Sequence, residues 1–105
     1  MGEMKLYIKQ KWQKLTRGYS DEELWNLDYT ICKWLLPRLK TFKEETNSYP
    51  STLTSPKEWD DILEKIILAL ELHSSDLPSN KEQTRSEQIR EGFELFGKYF
   101  WNLWW

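Results

Sequence analysis

Residues 18–40, GYSDEELWNLDYTICKWLLPRLK, constrain the fold of this chain more than any other stretch, because they contain complete helix-end signals. Ser20 and Glu23 have the spacing of a capping box, in which each side chain accepts a backbone N–H at a helix N-terminus. Gly18 suits the left-handed conformation that ends a preceding helix. The stretch therefore predicts one helix that ends near Gly18 and another that begins directly after Ser20.

Apolar residues recur at helical spacing along most of the chain. The pattern predicts a short basic amphipathic helix over residues 3–16, a long apolar helix over about 21–45, a third helix after a Ser55–Glu58 capping box and a fourth from near Asn80. Pro37 removes a backbone donor inside the second helix. We therefore expect an all-α fold, a compact bundle of about four helices with the long second helix kinked or broken near Pro37. Residues 1–105 form a single helical domain in this prediction.

Three single positions add local expectations. Asp28 lies on the predicted inward side of the second helix, where a carboxylate needs a hydrogen-bonding or cationic partner or else holds a ligand. Gly92 and Gly97 fall inside the predicted fourth helix, where each glycine lowers helix stability by about 1 kcal/mol relative to alanine. Both glycines therefore predict a close approach by another helix or a bend.

The aromatic content is the most unusual feature of the composition. Seven Trp, five Tyr and four Phe occur among 105 residues. A small helical core cannot easily bury so many large rings, so some are expected to face a ligand, a partner or a second copy of the chain.

Charge and cysteine content narrow the functional classes. The net charge of −2 does not favour nucleic acid as a partner. The one cysteine, Cys32, excludes an intramolecular disulfide and fits a reducing cytosol. There is no signal-peptide pattern and no run of about 18 apolar residues, so the sequence predicts neither export nor a membrane partner.

Few residues suit catalysis. His73 is placed at the end of the third helix and Cys32 on an apolar side of the second, and we interpret both as structural. A magnesium-dependent nucleotide hydrolase of the all-α type is the enzyme alternative, because carboxylates one turn apart can share a magnesium ion. Its candidate ligands are Glu58, Asp61, Glu64, Glu91 and Glu94. Such pairs also occur on ordinary solvated helix faces, so the sequence predicts no catalytic residue, no metal and no cofactor.

Cations and rings alternate along the first half of the chain, a combination that can hold a phosphate while a base stacks on a ring. The set contains Lys9, Trp12, Arg17, Lys33, Trp34, Arg38 and Lys40. Of these, Arg17, Lys33, Trp34, Arg38 and Lys40, together with Tyr49, are the predicted ligand-binding residues. Packing of the rings in a core with the cations on a solvated face would explain the same pattern.

The C-terminus is rich in rings on every side of its last turns. One small monomer cannot bury all of them, so we expect a partner or oligomer interface here. The predicted interface residues are Tyr99, Trp101, Trp104 and Trp105.

Several motifs resemble those of small accessory proteins from tailed bacteriophages. They are the Gly-Tyr-Ser-Asp helix start, Trp25 with Leu27-Asp28, Pro37-Arg38-Leu39, Tyr49-Pro50, Trp59 and the closing Phe96–Trp105. The resemblance implies the cytoplasm of an infected bacterial host. Phage accessory proteins of this size are often inhibitors of host defence, which block a protein surface or sequester a nucleotide signal.

The function predicted from these observations is non-catalytic binding by a homo-oligomeric phage protein. It would inhibit host defence by sequestering a nucleotide messenger or by occluding a host protein through an aromatic and basic surface. Two alternatives remain, the magnesium-dependent hydrolase and an accessory protein of phage replication or virion assembly.

Overall fold

The structure is a computed structural model that describes residues 2–74 and 82–104, and 83% of these are helical with no strands among them. This confirms the all-α fold class. The helices are α1 (Gly2–Arg17), α2 (Asp21–Trp25), α3 (Leu27–Glu45), α4 (Pro56–Ser74) and α5 (Glu82–Tyr99), and a 3₁₀ turn follows at Phe100–Asn102. The chain divides into two compact units, residues 1–31 and 32–105. The predicted loop after Ser74, the helix start near Asn80 and Trp105 lie outside the described residues.

The end of α1 and the start of α2 form as the sequence predicts. Gly18 has φ of +85°, and its N–H donates to the carbonyl oxygen of Lys14 at 3.0 Å, which closes α1 in the left-handed conformation. The backbone N–H of Ser20 donates to Oε2 of Glu23 at 2.6 Å. The carboxylate of the capping box is therefore in place.

The predicted long helix is interrupted at Asn26, and α3 runs through Pro37 without a break. Asn26 leaves the helical region with φ of −127° and ψ of 58°, and the hydroxyl of Thr30 donates to the carbonyl of Glu23 at 3.0 Å. That hydroxyl satisfies a carbonyl at the end of α2, while α3 continues through Pro37. Arg38 Nη1 donates to the carbonyl of Trp34 at 2.7 Å, in the turn where the proline weakens the backbone ladder.

The start of α4 uses a modified capping box. Ser55 Oγ accepts the backbone N–H of Glu58 at 3.3 Å, as predicted. The Glu58 carboxylate instead reaches Thr54, accepting its backbone N–H at 3.0 Å and its hydroxyl at 2.9 Å. The cap thus fastens the preceding loop to α4 one residue earlier than in the usual box.

The core of the second unit is centred on α4. Trp59 is 2% exposed and its ring meets Tyr99 of α5 edge-to-face, with 5.5 Å between ring centroids. The other buried hydrophobic residues of this core are Cys32, Leu39, Leu53, Leu63, Ile66, Ile67 and Leu70. The core therefore joins α3, α4, α5 and the loop before α4.

The two helix glycines differ. A β-carbon on Gly92 would lie 2.2 Å from Cβ of Ala69 and 2.8 Å from the carbonyl oxygen of Lys65, so α4 and α5 touch at this point. This is the close approach that the sequence predicts. Gly97 has nothing within 4 Å of such an atom, so no neighbouring helix explains it.

The core-facing side of α5 corrects two sequence expectations. Phe93 and Phe100, which helical spacing would place on one apolar stripe facing the core, are 37% and 51% exposed, whereas Tyr99, expected at an interface, is 6% exposed. The contact of Gly92 with α4 sets the rotation of α5, and the tightening to a 3₁₀ turn after Tyr99 displaces the residues that follow. Tyr99 accordingly belongs to the core.

Asp28 also differs from expectation, because its side chain is exposed and so avoids the cost of burying a carboxylate. Within residues 2–74 and 82–104, every helix falls short of the length and apolarity needed to cross a membrane.

Candidate functional site

Trp34 and Arg38 of α3 form the best-defined pair among the predicted ligand-binding residues. They are four residues apart and so share one side of the helix. The Arg38 guanidinium carbon lies 4.1 Å from the centre of the Trp34 ring, and the ring is 58% exposed. The structure thus brings a cation and a large ring together on the surface of the second unit, where the neighbouring Lys33 is also exposed.

Lys40 has a carboxylate partner. Its Nζ lies 3.0 Å from Oε1 of Glu71, an ion pair between α3 and α4. One turn further on, Lys43 pairs with Glu64 at 2.9 Å, and the hydrogen bond that the amine donates to the Glu64 carboxylate raises the pKa of Lys43. A cleft of about 430 Å³ between these helices is therefore lined by charges of both signs. Such a lining does not favour a phosphate over a cation.

Tyr49 lies in an uncharged cleft beside the C-terminal segment. The cleft has a volume of about 270 Å³ and is lined by Ser48, Tyr49, Pro50, Ser51, Asn102 and Trp104. Tyr49 is 41% exposed and Trp104 is 68% exposed. This arrangement offers rings and hydroxyl groups but no cation, so it suits a neutral or apolar group better than a phosphate.

Arg17 belongs to the first unit, where it is held by groups of its own unit. Its guanidinium lies 4.4 Å from the centre of the Tyr19 ring, and Nη2 donates to Oδ1 of Asp21 at 2.8 Å. Hydrogen bonds from Gln13, and next from Arg17, lower the pKa of the Asp21 carboxyl from 3.8 to about 2. Arg17 therefore has a structural role in joining the end of α1 to α2.

The predicted C-terminal interface keeps its two described tryptophans on the surface. Trp101 is 83% exposed and Trp104 is 68% exposed. Phe100 links Trp101 to Phe96, which packs against the core; its ring lies 5.6 Å from Phe96 and 5.7 Å from Trp101, edge-to-face in both contacts. We call Phe100, Trp101 and Trp104 the C-terminal aromatic surface.

The carboxylates of the enzyme alternative all have partners. Glu58 accepts hydrogen bonds from Thr54, which lower the pKa of its carboxyl. The other four lie within 4.0 Å of cations, in the pairs Asp61–Lys57, Glu64–Lys43, Glu91–Lys65 and Glu94–Arg90. Among residues 2–74 and 82–104, no three His, Cys, Asp or Glu side chains are grouped so as to hold a metal ion.

Cys32 is a potential nucleophile and His73 a potential base, and both lie where they contribute to packing. Cys32 is 1% exposed within the core of the second unit. The ring of His73, in the last turn of α4, meets Phe93 edge-to-face with 6.2 Å between centroids.

The exposed apolar side of α1 is the feature that sequence reasoning missed. Helical spacing places Met4, Ile8, Trp12 and Leu15 on one side of α1, and all four are between 62% and 82% exposed. The spacing of apolar residues predicts a stripe on a helix, but it does not predict what the stripe packs against. The packing of α1 depends instead on Gln13, whose role as an amide bridge to Asp21 has no signal in the sequence.

No protein-family model, curated protein or solved structure matches this chain.

Proposed function

We propose that this protein is a non-catalytic phage accessory protein that inhibits host defence by occluding a host protein. The observation that carries the proposal is the exposure of its indole rings. Five of the six described tryptophans are more than half exposed, and Trp59 alone among them is buried. Monomeric proteins rarely expose so many large rings, and Trp is strongly enriched among residues that dominate binding energy at interfaces.

Within the second unit, the C-terminal aromatic surface is the proposed contact with the host protein. Trp101 and Trp104 are its most exposed members, while Phe100 packs edge-to-face on Phe96 and fixes the base of the surface. Rigid rings lose little conformational entropy on binding. The adjoining uncharged cleft beside Tyr49 would accept an apolar side chain of the partner.

Sequestration of a nucleotide messenger is the second candidate, favoured by the exposed pair of Trp34 and Arg38. A base would stack near the indole and a phosphate would bind the guanidinium, with Lys33 nearby. The ion pairs of Arg17 with Asp21 and Lys40 with Glu71 weigh against this candidate, because binding a phosphate there would compete with an existing carboxylate. Occlusion of a protein is therefore the leading proposal.

The proposal includes the wider expectations from the sequence. The protein would act in the cytoplasm of the infected host as a homo-oligomer, with residues 1–105 forming one bundle of about four helices whose long second helix is kinked near Pro37. The hydrolase and the replication or virion accessory protein remain the alternatives.

The experiment is native mass spectrometry of the full-length protein purified from bacterial host cells, combined with an assay of defence inhibition. The proposal expects a host defence protein in the complex, and loss of both the complex and inhibition in the double variant Trp101→Ser, Trp104→Ser. Trp25→Ser is the matched control, since Trp25 is 61% exposed in the other unit. Unchanged inhibition by the double variant would contradict the proposal.

The same samples separate the alternatives. A bound nucleotide that is lost in Arg38→Ala, with no host protein present, would support messenger capture instead. Release of nucleotide products in the presence of magnesium would support the hydrolase.

A further inference from the structure

Helix α1 carries its apolar side on the outside of the first unit. Met4, Ile8, Trp12 and Leu15 follow one another at steps of four, four and three residues, which keeps them on one side of a helix. They are 72%, 62%, 66% and 82% exposed. We call these four residues the α1 stripe.

The opposite side of α1 makes the folding contacts. Gln13 lies nine residues after Met4, which is half a turn away around the helix. Its Nε2 donates to Oδ2 of Asp21 at 2.8 Å, and its Oε1 accepts the backbone N–H of Asp21 at 2.8 Å. Arg17 adds its ion pair with the same carboxylate at 2.8 Å. The first unit is therefore fastened through polar groups, and the α1 stripe is left for another contact.

Lysines border the stripe on both sides. At 100° per residue, Lys11 lies about 20° beyond Met4 at one border, and Lys5 lies about 20° beyond Trp12 at the other. Neither lysine forms an ion pair with a described residue; Lys11 instead lies 5.2 Å from the centre of the Tyr7 ring. The stripe is thus an apolar strip with one lysine at each border.

Two further lysines of α1 are directed toward α2. Lys9 lies 3.4 Å from Asp21 and Lys14 lies 3.9 Å from Glu23. The acidic residues at the start of α2 therefore neutralise the side of α1 that faces them. The side that carries the stripe keeps its positive charge.

We propose that α1 lies flat on an anionic lipid surface, with the stripe inserted at the boundary between headgroups and acyl chains. An interfacial helix has this arrangement, a narrow apolar side with Trp, bordered by lysines whose stems reach up to the headgroups. Anionic headgroups on both sides of the inserted stripe would meet both lysine borders at once. A second copy of α1 would instead bring lysine borders together, and a protein groove would need two acidic rims at the same separation.

This inference goes beyond the proposed function and concerns a different unit of the chain. It also departs from the sequence prediction of no membrane partner, which considered only spanning segments. A helix in the plane of the interface does not need the roughly 20 apolar residues of a spanning helix.

The test is co-sedimentation of the full-length protein with vesicles of two compositions, phosphatidylcholine alone and equal parts of phosphatidylcholine and phosphatidylglycerol. The inference expects binding to the anionic vesicles, much weaker binding to the neutral ones and a loss of binding as salt is raised. No binding to anionic vesicles at low salt, or equal binding to both compositions, would overturn it.

Variants locate the contact. Ile8→Ser with Leu15→Ser should reduce partitioning at least about tenfold, because the inserted apolar area is lost. Lys5→Gln and Lys11→Gln should each reduce it about fivefold. Leu68→Ser and Lys57→Gln are the controls, since Leu68 is 38% exposed and the Lys57 side chain is 83% exposed in the second unit.

Far-UV circular dichroism of each variant separates loss of binding from loss of folding. Helical stripe variants that still bind as the wild type does would overturn the inference. If vesicle binding is absent and the stripe variants instead lose a host protein, the occupant is a protein and the lipid assignment is wrong. The double variant of Trp101 and Trp104 leaves the stripe intact, so failure of the proposed function is measured independently.

Discussion

Gly92 of α5 lies directly against Ala69 of α4, so that a β-carbon on Gly92 would fall 2.2 Å from Cβ of Ala69. The backbone of α4 is also close, with the Lys65 carbonyl oxygen 2.8 Å from the same position. The two helices can approach this closely only because no side chain stands between them.

Gly92→Ala should therefore destabilise the protein, even though alanine favours a helix. We expect the free energy of unfolding in urea to fall by about 1–3 kcal/mol, because α5 must move away from α4 to make room. Gly97→Ala is the control, since nothing lies within 4 Å of its added atom, and it should raise stability by up to about 1 kcal/mol. Equal effects of the two substitutions would contradict the close packing at Gly92.

Pro37→Ala should stabilise the protein. The substitution restores a backbone donor inside α3 and removes the ring that crowds the preceding turn. We expect the free energy of unfolding to rise by about 1–3 kcal/mol in the same urea titrations. Pro50 lies in the turn that Leu53 closes by donating to its carbonyl at 2.9 Å, so Pro50→Ala should bring no such gain. A loss of stability in Pro37→Ala would show that α3 requires the proline.

The first unit should lose stability in acid through Asp21. Hydrogen bonds from Gln13 and Arg17 lower the pKa of its carboxyl from 3.8 to about 2. A lowered pKa in the folded state means that the stabilisation is complete above pH 3.8 and is lost as the pH falls toward 2. The protection factors of the α1 amides, which compare each exchange rate with the intrinsic rate at the same pH, should fall over this interval.

The matched variants separate Asp21 from general acid effects. Asp21→Asn should show low protection of the α1 amides already at neutral pH, and these protection factors should depend less on pH between 4 and 2. Glu22→Gln, at the exposed neighbouring position, should behave as the wild type does. If the α1 amides of Asp21→Asn exchanged as they do in the wild type, the Asp21 carboxylate would not be what stabilises the first unit.

Tryptophan fluorescence should separate Trp59 from the exposed indoles. Acrylamide should quench most of the emission, and a minor blue-shifted fraction should resist it. That fraction should disappear in Trp59→Phe and persist in Trp101→Phe. A wild-type protein in which every tryptophan resists quenching would contradict the exposed surfaces described above.

The sequence predicts the parts of this fold that depend on local chemistry. Glycine at the end of α1, the carboxylate of Glu23 at the cap of α2 and the serine cap of α4 all lie where their spacing placed them. Each of these depends on residues within a few positions of one another.

What the sequence could not predict depends on contacts between distant residues. The rotation of α5, which buries Tyr99 and exposes Phe93, follows from its contact with Ala69. The break at Asn26 is accompanied by a side-chain bond that spans it, from the hydroxyl of Thr30 to the carbonyl of Glu23 seven residues earlier. Helical periodicity predicts neither the rotation of α5 nor the break at Asn26.

The sequence predicted which kinds of residue form the candidate site, but not which of them remain available to bind. Surplus rings predicted an exposed aromatic surface, and five described tryptophans are exposed. The ion pair of Lys40 with Glu71 was not predictable, because it joins α3 to α4 and so depends on how these helices pack. Composition indicates which groups are present, whereas packing decides which of them remain available.

Because Cys32 is buried, the reactivity of its thiol reports local opening of the fold. Cys32 is the one cysteine of the sequence, and it is 1% exposed in the core of the second unit. An alkylating reagent can reach the sulfur only during excursions that separate α3 from its neighbours. The rate of labelling at Cys32 would therefore time those excursions without any engineered probe.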